Sequence, residues 1–279
     1  MIGVSGATGG IGGRVARRLA ASGHTQRLIV RDASRVTRPA GAEVVTFGGY
    51  HDDAGMREAF AGVQTLLLVS AREAADRLVQ HRRAVDAAAD AGVQRIVYLS
   101  FIGAAADATF TFARDHFHTE QHVRASGVAF TFSRQNLYMD LLPVLAGEDS
   151  AIRGPAGDGR VAPVLRDDVA DALHAMLTTP GHEGTTYELT GPEALTLGEI
   201  AARVSRATGR KLRFVDETLE QARASRAASG APDWQIAGWI STYTAIAAGE
   251  MDVVTDHVLR LTGREPTAVE RFLAGLRTL

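Results

Sequence analysis

Three glycines near the start of the chain, Gly6, Gly9 and Gly12, stand in the spacing G-x-x-G-x-x-G directly after an apolar run containing Ile2 and Val4. Ile11, Val15 and Leu19 follow at i, i+4 and i+8, along one face of a helix. A strand, a glycine turn and a helix N-terminus in that order make a seat for the diphosphate of a dinucleotide. Gly6 allows the sharp turn out of the strand, Gly9 leaves the backbone open to the diphosphate, and Gly12 lets the helix pack close to the sheet. The N–H groups around Gly10 and Ile11 have no helical acceptor and can point at an anion.

Cofactor choice is read at the end of the second apolar run, where Arg31 and Asp32 stand side by side. An arginine there pairs with a 2′-phosphate, whereas an acid takes the ribose hydroxyls and favours NAD. The chain offers both, and Arg35 and Arg38 add positive charge nearby, so on the residues alone NADP(H) and NAD(H) are both open. The alternative is that all three arginines are solvated loop residues. Tyr50, after the third strand, can lie along the adenine. Ser70 and Ser100 end the fourth and fifth strands and are expected to face the nicotinamide half; otherwise each bonds a loop backbone.

Proton transfer must be arranged without a Tyr-x-x-x-Lys pair, because Lys211 is the only lysine and Ala207 stands four residues before it. The helix after the fifth strand carries His116 and Glu120 instead, at i and i+4 on one face. If that face meets the ligand, Glu120 would raise the pKa of His116 and keep it a usable general acid; the alternative is an incidental ion pair. His118 and His122 have the spacing of a helical zinc pair, but no clustered third ligand is evident, so no metal is expected. Phe101, Phe117 and Tyr138 can stack on a flat aromatic ring, with ordinary packing as the alternative.

The elements that position these residues alternate. Strands are expected at Gln26–Val30, Glu43–Phe47, Thr65–Val69, Arg95–Leu99 and Val128–Ser133, with helices over 54–60, 74–91 and 114–125. Near-continuous apolar strands between helices predict an α/β fold, a Rossmann-type doubly wound parallel sheet. Further on, helices are expected over 137–145, 166–177, 219–228, 233–248 and 269–276, and Thr196–Glu199 is a capping box opening a helix to about Ala207. Residues 1–135, completed by 160–190, are expected to form the nucleotide domain. Residues 136–159 and 191–279 would make a smaller, mostly helical substrate lobe.

Composition narrows the partners. The chain has 279 residues, a net charge of −2, 46% hydrophobic and 22% charged residues, and no cysteine. That balance gives no reason to expect nucleic acid or a membrane surface as a partner, and it excludes disulfides and thiolate chemistry. No apolar run approaches a membrane span, and no leader precedes the first strand, so a cytoplasmic location is expected. A homodimer is compatible with the sequence.

Taken together the chain resembles the NmrA-like atypical short-chain dehydrogenases, and within them the bacterial NADPH:quinone oxidoreductases. The resemblance rests on Gly6-Ala7-Thr8-Gly9, Val30-Arg31, Leu67-Leu68-Val69-Ser70, Gln80-His81-Arg82, Ala91-Gly92-Val93, Thr119-Glu120, Gly157-Asp158-Gly159, Gly181-His182-Glu183-Gly184 and Tyr187-Glu188-Leu189. It implies NADP(H) held by Gly6, Thr8, Gly9, Gly10, Ile11, Arg31, Tyr50, Val69, Ser70 and Ser100. Relatives often carry an acid just before this tyrosine, where Gly49 stands here. The segment 133–139 resembles the family's substrate-lining stretch, which gives Asn136 a carboxamide or a substrate oxygen to hold; a turn bonding its own backbone is the alternative. The implied activity is reduction of quinones or related planar aromatic ketones, a class that needs little acid help. Aromatic polyketide tailoring by quinone reduction, and NADP sensing without turnover, are the alternatives.

Overall fold

The computed structural model describes residues 1–147 and 149–276. The apolar runs become strands β1 (Ile2–Ser5), β2 (Gln26–Val30), β3 (Ala42–Thr46), β4 (Thr65–Val69), β5 (Arg95–Phe101) and β6 (Ala129–Gln135). Between them lie helices α1 (Gly12–Ala21), α2 (Asp53–Phe60), α3 (Arg77–Asp90) and α4 (Thr111–Ala125). β1 pairs in parallel with β2 and with β4, β2 with β3, and β4 with β5. The seven-stranded sheet runs β3-β2-β1-β4-β5-β6 and ends on β9 (Thr185–Leu189). The order of strands reverses at β1, and the carboxyl end of that strand is where an open α/β sheet leaves a crevice.

The chain divides into two compact units. The first comprises residues 1–100, 115–134 and 167–187. The second comprises 101–114, 135–166 and 188–279, so the segment 101–114 groups with the later residues rather than with the sheet that precedes it. Each has its own apolar core. In the first unit Leu66, Leu68, Ile96 and Tyr98 from β4 and β5 meet Met56 and Phe60 of α2 and Ala84 and Val85 of α3. The full burial of successive residues along β4 and β5 is what a sheet covered on both faces demands.

In the second unit β7 (Ala151–Gly154) pairs in parallel with β11 (Arg213–Asp216), and β8 (Arg160–Val161) pairs antiparallel with β10 (Leu195–Thr196). The expected helix over 137–145 is a 3₁₀ helix, Met139–Val144, because Pro143 inside it has no N–H for an α-helical bond. The capping box at Thr196 and Glu199 forms in both directions and opens α6 (Leu197–Thr208), which stops at Gly209 with φ of 75°. α5 (Arg166–Thr178), α7 (Leu219–Ala227), α8 (Asp233–Ala247), α9 (His257–Thr262) and α10 (Val269–Leu276) complete the helices. No helix among the described residues is long and apolar enough to cross a membrane.

Candidate functional site

At the carboxyl end of β1 the first unit holds a cavity of about 400 Å³, bounded by Gly6, Thr8 and Gly9. Gly6 takes φ of +61°, which an L side chain rarely adopts, and turns the chain out of the strand. The Gly9 N–H donates to the Gly6 carbonyl over 2.8 Å, closing the turn. A Cβ on Gly12 would stand 2.4 Å from the Gly6 oxygen, so only glycine lets α1 start this close to β1. Ile11, at the N-cap, offers no side-chain cap, and among the described residues no acceptor is found for the N–H groups of Gly10, Ile11 and Gly12. Unbonded N–H dipoles at a helix start favour an anion.

Arg31 and Arg35 line the same cavity, and so does Arg72 from the loop after β4. None of the three has a hydrogen bond or ion pair within the described residues, in contrast to Arg18, Arg27 or Arg95, which are bonded to carboxylates. Gly49, with φ of +97°, lets the stem of Arg31 pass close: a Cβ there would meet Arg31 Cδ at 3.4 Å. Arg38 is used elsewhere, donating to the Ala42 carbonyl over 2.7 Å. Asp32 does not line the cavity. Its carboxylate accepts from the Ser34 hydroxyl (2.6 Å) and the Ser34 N–H (3.0 Å), bonds that hold its pKa below the usual range. The acid that complicates the reading of cofactor choice is thus spent on capping the turn Ala33–Arg35.

Tyr50 presents its ring to the cavity while its hydroxyl is pinned. It donates to the Val69 carbonyl (2.7 Å) and shares a hydrogen bond with Ser5 Oγ (2.8 Å), which itself accepts from the Val69 N–H (2.8 Å). Burial pushes the Tyr50 phenol up to about 12. Ser5 ties β1, β4 and Tyr50 together; nothing in its sequence context marks it. Val69 and Ser70 also border the cavity.

Behind the loop after β4 lies a buried polar network. The Ala71 N–H donates to His81 Nε2 (2.9 Å), so that nitrogen carries no proton. His81 Nδ1 meets Thr119 Oγ1 (2.9 Å), which gives its own proton to the Asp115 carbonyl (2.6 Å). His81 is therefore the neutral Nδ1–H tautomer. Arg77 donates to His116 Nε2 (3.0 Å), which fixes His116 in the same form, with Nδ1 toward the Tyr98 hydroxyl (2.8 Å). Burial first, and the Arg77 guanidinium second, push both histidines well below their ordinary pKa. This corrects the expectation that Glu120 raises the pKa of His116.

A pH prediction follows from the sign. A histidine whose folded pKa is depressed takes up protons on unfolding, so stability is full above the ordinary value of 6.5 and falls as pH drops below it. Each of the two contributes a slope of about 1.4 kcal/mol per pH unit in that window. Urea midpoints measured from pH 7.5 to 5 should fall steeply below pH 6.5; a flat profile would mean that His81 and His116 are charged in the folded protein.

Glu120 has different partners. Its side chain is 1% exposed and accepts from Ser100 Oγ (2.6 Å) and from Arg134 through both nitrogens of a fork (2.8 and 2.6 Å). The Ser100 hydroxyl, expected to face the cofactor, donates to this carboxylate. His122, of the histidines considered for zinc, bonds Asp86 (2.6 Å), and among the described residues no group of three or more His, Asp or Glu is placed to hold a metal ion. Phe117 is half-buried on α4, with its ring against His118.

Within the second unit, Asn136 is fully buried. Its amide donates to the Met251 carbonyl (2.9 Å) and its side-chain oxygen accepts from the Leu137 N–H (2.7 Å), so the turn reading holds and the amide is not presented to a ligand. A buried amide must find such partners, and Met251 is too distant in sequence to be foreseen. Phe101 packs edge-on against Phe110 at 5.0 Å. Tyr138 lies under the Arg166 guanidinium at 4.7 Å. Sequence reasoning missed Ser5, Arg72, Arg77, His81 and Arg134. The i, i+4 spacing of Arg77 and His81, and the family stretches around His81 and Arg134, were the available signals.

The chain belongs to the NmrA-like family, whose model matches residues 1–230. A reductase of (4-alkanoyl-5-oxo-2,5-dihydrofuran-3-yl)methyl phosphate from Streptomyces griseus is 38% identical over 269 residues, covering 95% of this chain and 93% of the relative. An NAD(P)H azoreductase from Xenophilus azovorans is 32% identical over 276 residues, covering 98% and 96%. Among solved structures, an NADPH-dependent quinone oxidoreductase from Escherichia coli in complex with NADPH superposes with a TM-score of 0.89 at 29% identity, covering 99% of this chain and all of that one.

Proposed function

We propose that the chain is an NADPH-dependent reductase of quinones or related planar aromatic ketones. The observation that carries the reading is a cavity lined by Gly6, Thr8 and Gly9 of the turn and by Arg31, Arg35 and Arg72, three arginines with no hydrogen bond or ion pair among the described residues, beside a helix start where the N–H groups of Gly10, Ile11 and Gly12 find no acceptor among those residues. Such an excess of donors and positive charge suits a ligand with several phosphates. The family and its reductase relatives supply the reaction class.

When bound, the reduced nicotinamide supplies a hydride. The chain's own residues do the rest. The Gly6–Gly12 turn holds the diphosphate, Arg31 and Arg35 take the 2′-phosphate, and the pinned ring of Tyr50 bounds the adenosine half. Val69 and Ser70 bound the other half. Phe101, Phe117 and Tyr138 are the candidate contacts for a flat substrate. The chain carries no tyrosine–lysine pair, His116 is held neutral, and Glu120 is locked to Arg134. A quinone tolerates this, because two electrons and one proton turn it into an aromatic hydroquinone anion that water then protonates. A simple ketone would leave a strongly basic alkoxide with no acid to meet it.

The test is steady-state turnover of benzo-, naphtho- and anthraquinones with NADPH and with NADH. Wild type should prefer NADPH, and Arg31→Ala should raise KM for NADPH about tenfold while moving that for NADH less than twofold. Absence of turnover on the whole panel overturns the reductase reading; tight NADPH binding in its absence would favour a sensor.

A further inference from the structure

Resting on the dinucleotide reading above, we propose that Arg72 is a phosphate contact on the opposite side of the glycine turn from Arg31, held in place by a clamp of Arg77 and His81 on the backbone of Ala71. The strand order sets the placement. Arg31 follows β2 and Arg72 follows the loop from β4, and these two strands flank β1, from which the turn emerges. A ligand seated on the N–H groups of Gly10–Gly12 therefore has one guanidinium on each side. Arg31 answers to the 2′-phosphate, which only NADP(H) carries; Arg72 answers to the diphosphate, which both dinucleotides carry.

The clamp explains how a loop residue is held. The apolar pattern predicts a helix from Ala74, but α3 begins only at Arg77, so Ser70, Ala71, Arg72 and Ala74 line the cavity without a helical scaffold. In its place two side chains one helical turn apart take both polar groups of Ala71. The Ala71 N–H donates to His81 Nε2 (2.9 Å) and Arg77 Nε donates to the Ala71 carbonyl (3.0 Å). Both are anchored from behind: Arg77 by Asp115 (3.3 Å) and His116 (3.0 Å), His81 by Thr119 (2.9 Å). Ala71 is half-buried, while Arg72 beside it is exposed and carries a guanidinium with no hydrogen bond or ion pair among the described residues. A fixed backbone under a free cation lowers the ordering cost of closing that cation on an anion. Arg77 and His81 are thus positioning residues, and Arg72 is the group that touches the ligand.

The experiment is titration of wild type, Arg72→Gln, His81→Leu, His81→Gln and the double variant Arg72→Gln/His81→Leu with NADPH and NADH. Arg72→Gln, an exposed change that leaves the fold intact, should weaken both dinucleotides by a similar factor, about five- to twentyfold. His81→Leu should weaken both as well, and should add less than twofold once Arg72 is gone, because the clamp acts through Arg72. His81→Gln, whose side-chain oxygen can accept from Ala71, should restore binding to within about threefold of wild type. Unchanged affinity in Arg72→Gln, or fully additive losses in the double variant, overturns the proposal while the dinucleotide reading stands. Failure of wild type to bind either dinucleotide overturns both.

Discussion

Arg134→Met should cost about 3–5 kcal/mol of stability, read as a lowered urea midpoint with unchanged slope. Glu120 is almost wholly buried, and its carboxylate is held by the Arg134 fork and the Ser100 hydroxyl. Removing the guanidinium leaves the buried carboxylate with the Ser100 hydroxyl as its remaining donor. The methionine stem keeps the packing of the arginine chain, so the loss reports electrostatics rather than a cavity. The double variant Arg134→Met/Glu120→Gln should recover most of it, because a neutral amide does not need a counter-charge. A midpoint in Arg134→Met that corresponds to less than 1 kcal/mol would mean that the pair adds little net stability.

Gly12→Val should abolish dinucleotide binding and destabilise the first unit by about 3 kcal/mol or more. The added Cβ would stand 2.4 Å from the Gly6 oxygen, 2.8 Å from the Gly6 carbonyl carbon and 3.0 Å from the Ser5 oxygen. All three are backbone atoms, so no rotamer change relieves the overlap; α1 must back away from β1 or the turn must open. Gly9→Ala is the contrast. Its Cβ would meet only the Gly6 oxygen, at 3.1 Å, so the chain should fold and lose mainly affinity. Calorimetric titration with NADPH beside thermal denaturation separates the two, and equal thermal stability of Gly12→Val and wild type would show that the turn is looser than its geometry.

Much of this was legible from local pattern. β2 and β4 run over the residues their apolar runs predict, Gln26–Val30 and Thr65–Val69, because a sheet covered on both faces leaves unbroken hydrophobic stretches. The glycine turn was legible because each glycine answers a different steric demand. The partners of polar side chains were not. Asp32 looks like a ribose ligand until Ser34 is seen to bind it. His116 and Glu120 share a helix face, yet the bonds that define them go to Tyr98 and Arg77 and to Ser100 and Arg134. Spacing along a helix says which residues are neighbours; it does not say which neighbour on another element takes the proton. β8 and β10, two residues each, carry no periodicity to read.

The first unit is assembled from three separate stretches of chain, and this has a bearing on how it is made. Residues 167–187 bring α5, whose Asp167 pairs with Arg14 (3.2 Å) and Arg18 (2.9 Å) of α1, and the start of β9, which covers the flank of β6. During synthesis from the N-terminus, the sheet waits with β6 as an open edge until some fifty further residues, 135–187, have left the ribosome. An open edge strand pairs readily with other chains. A nascent or truncated product ending near Arg134 would therefore hold every residue of the glycine turn and still lack the strand that covers β6, leaving that longer central strand as the edge, a state in which chaperone capture or aggregation competes with folding.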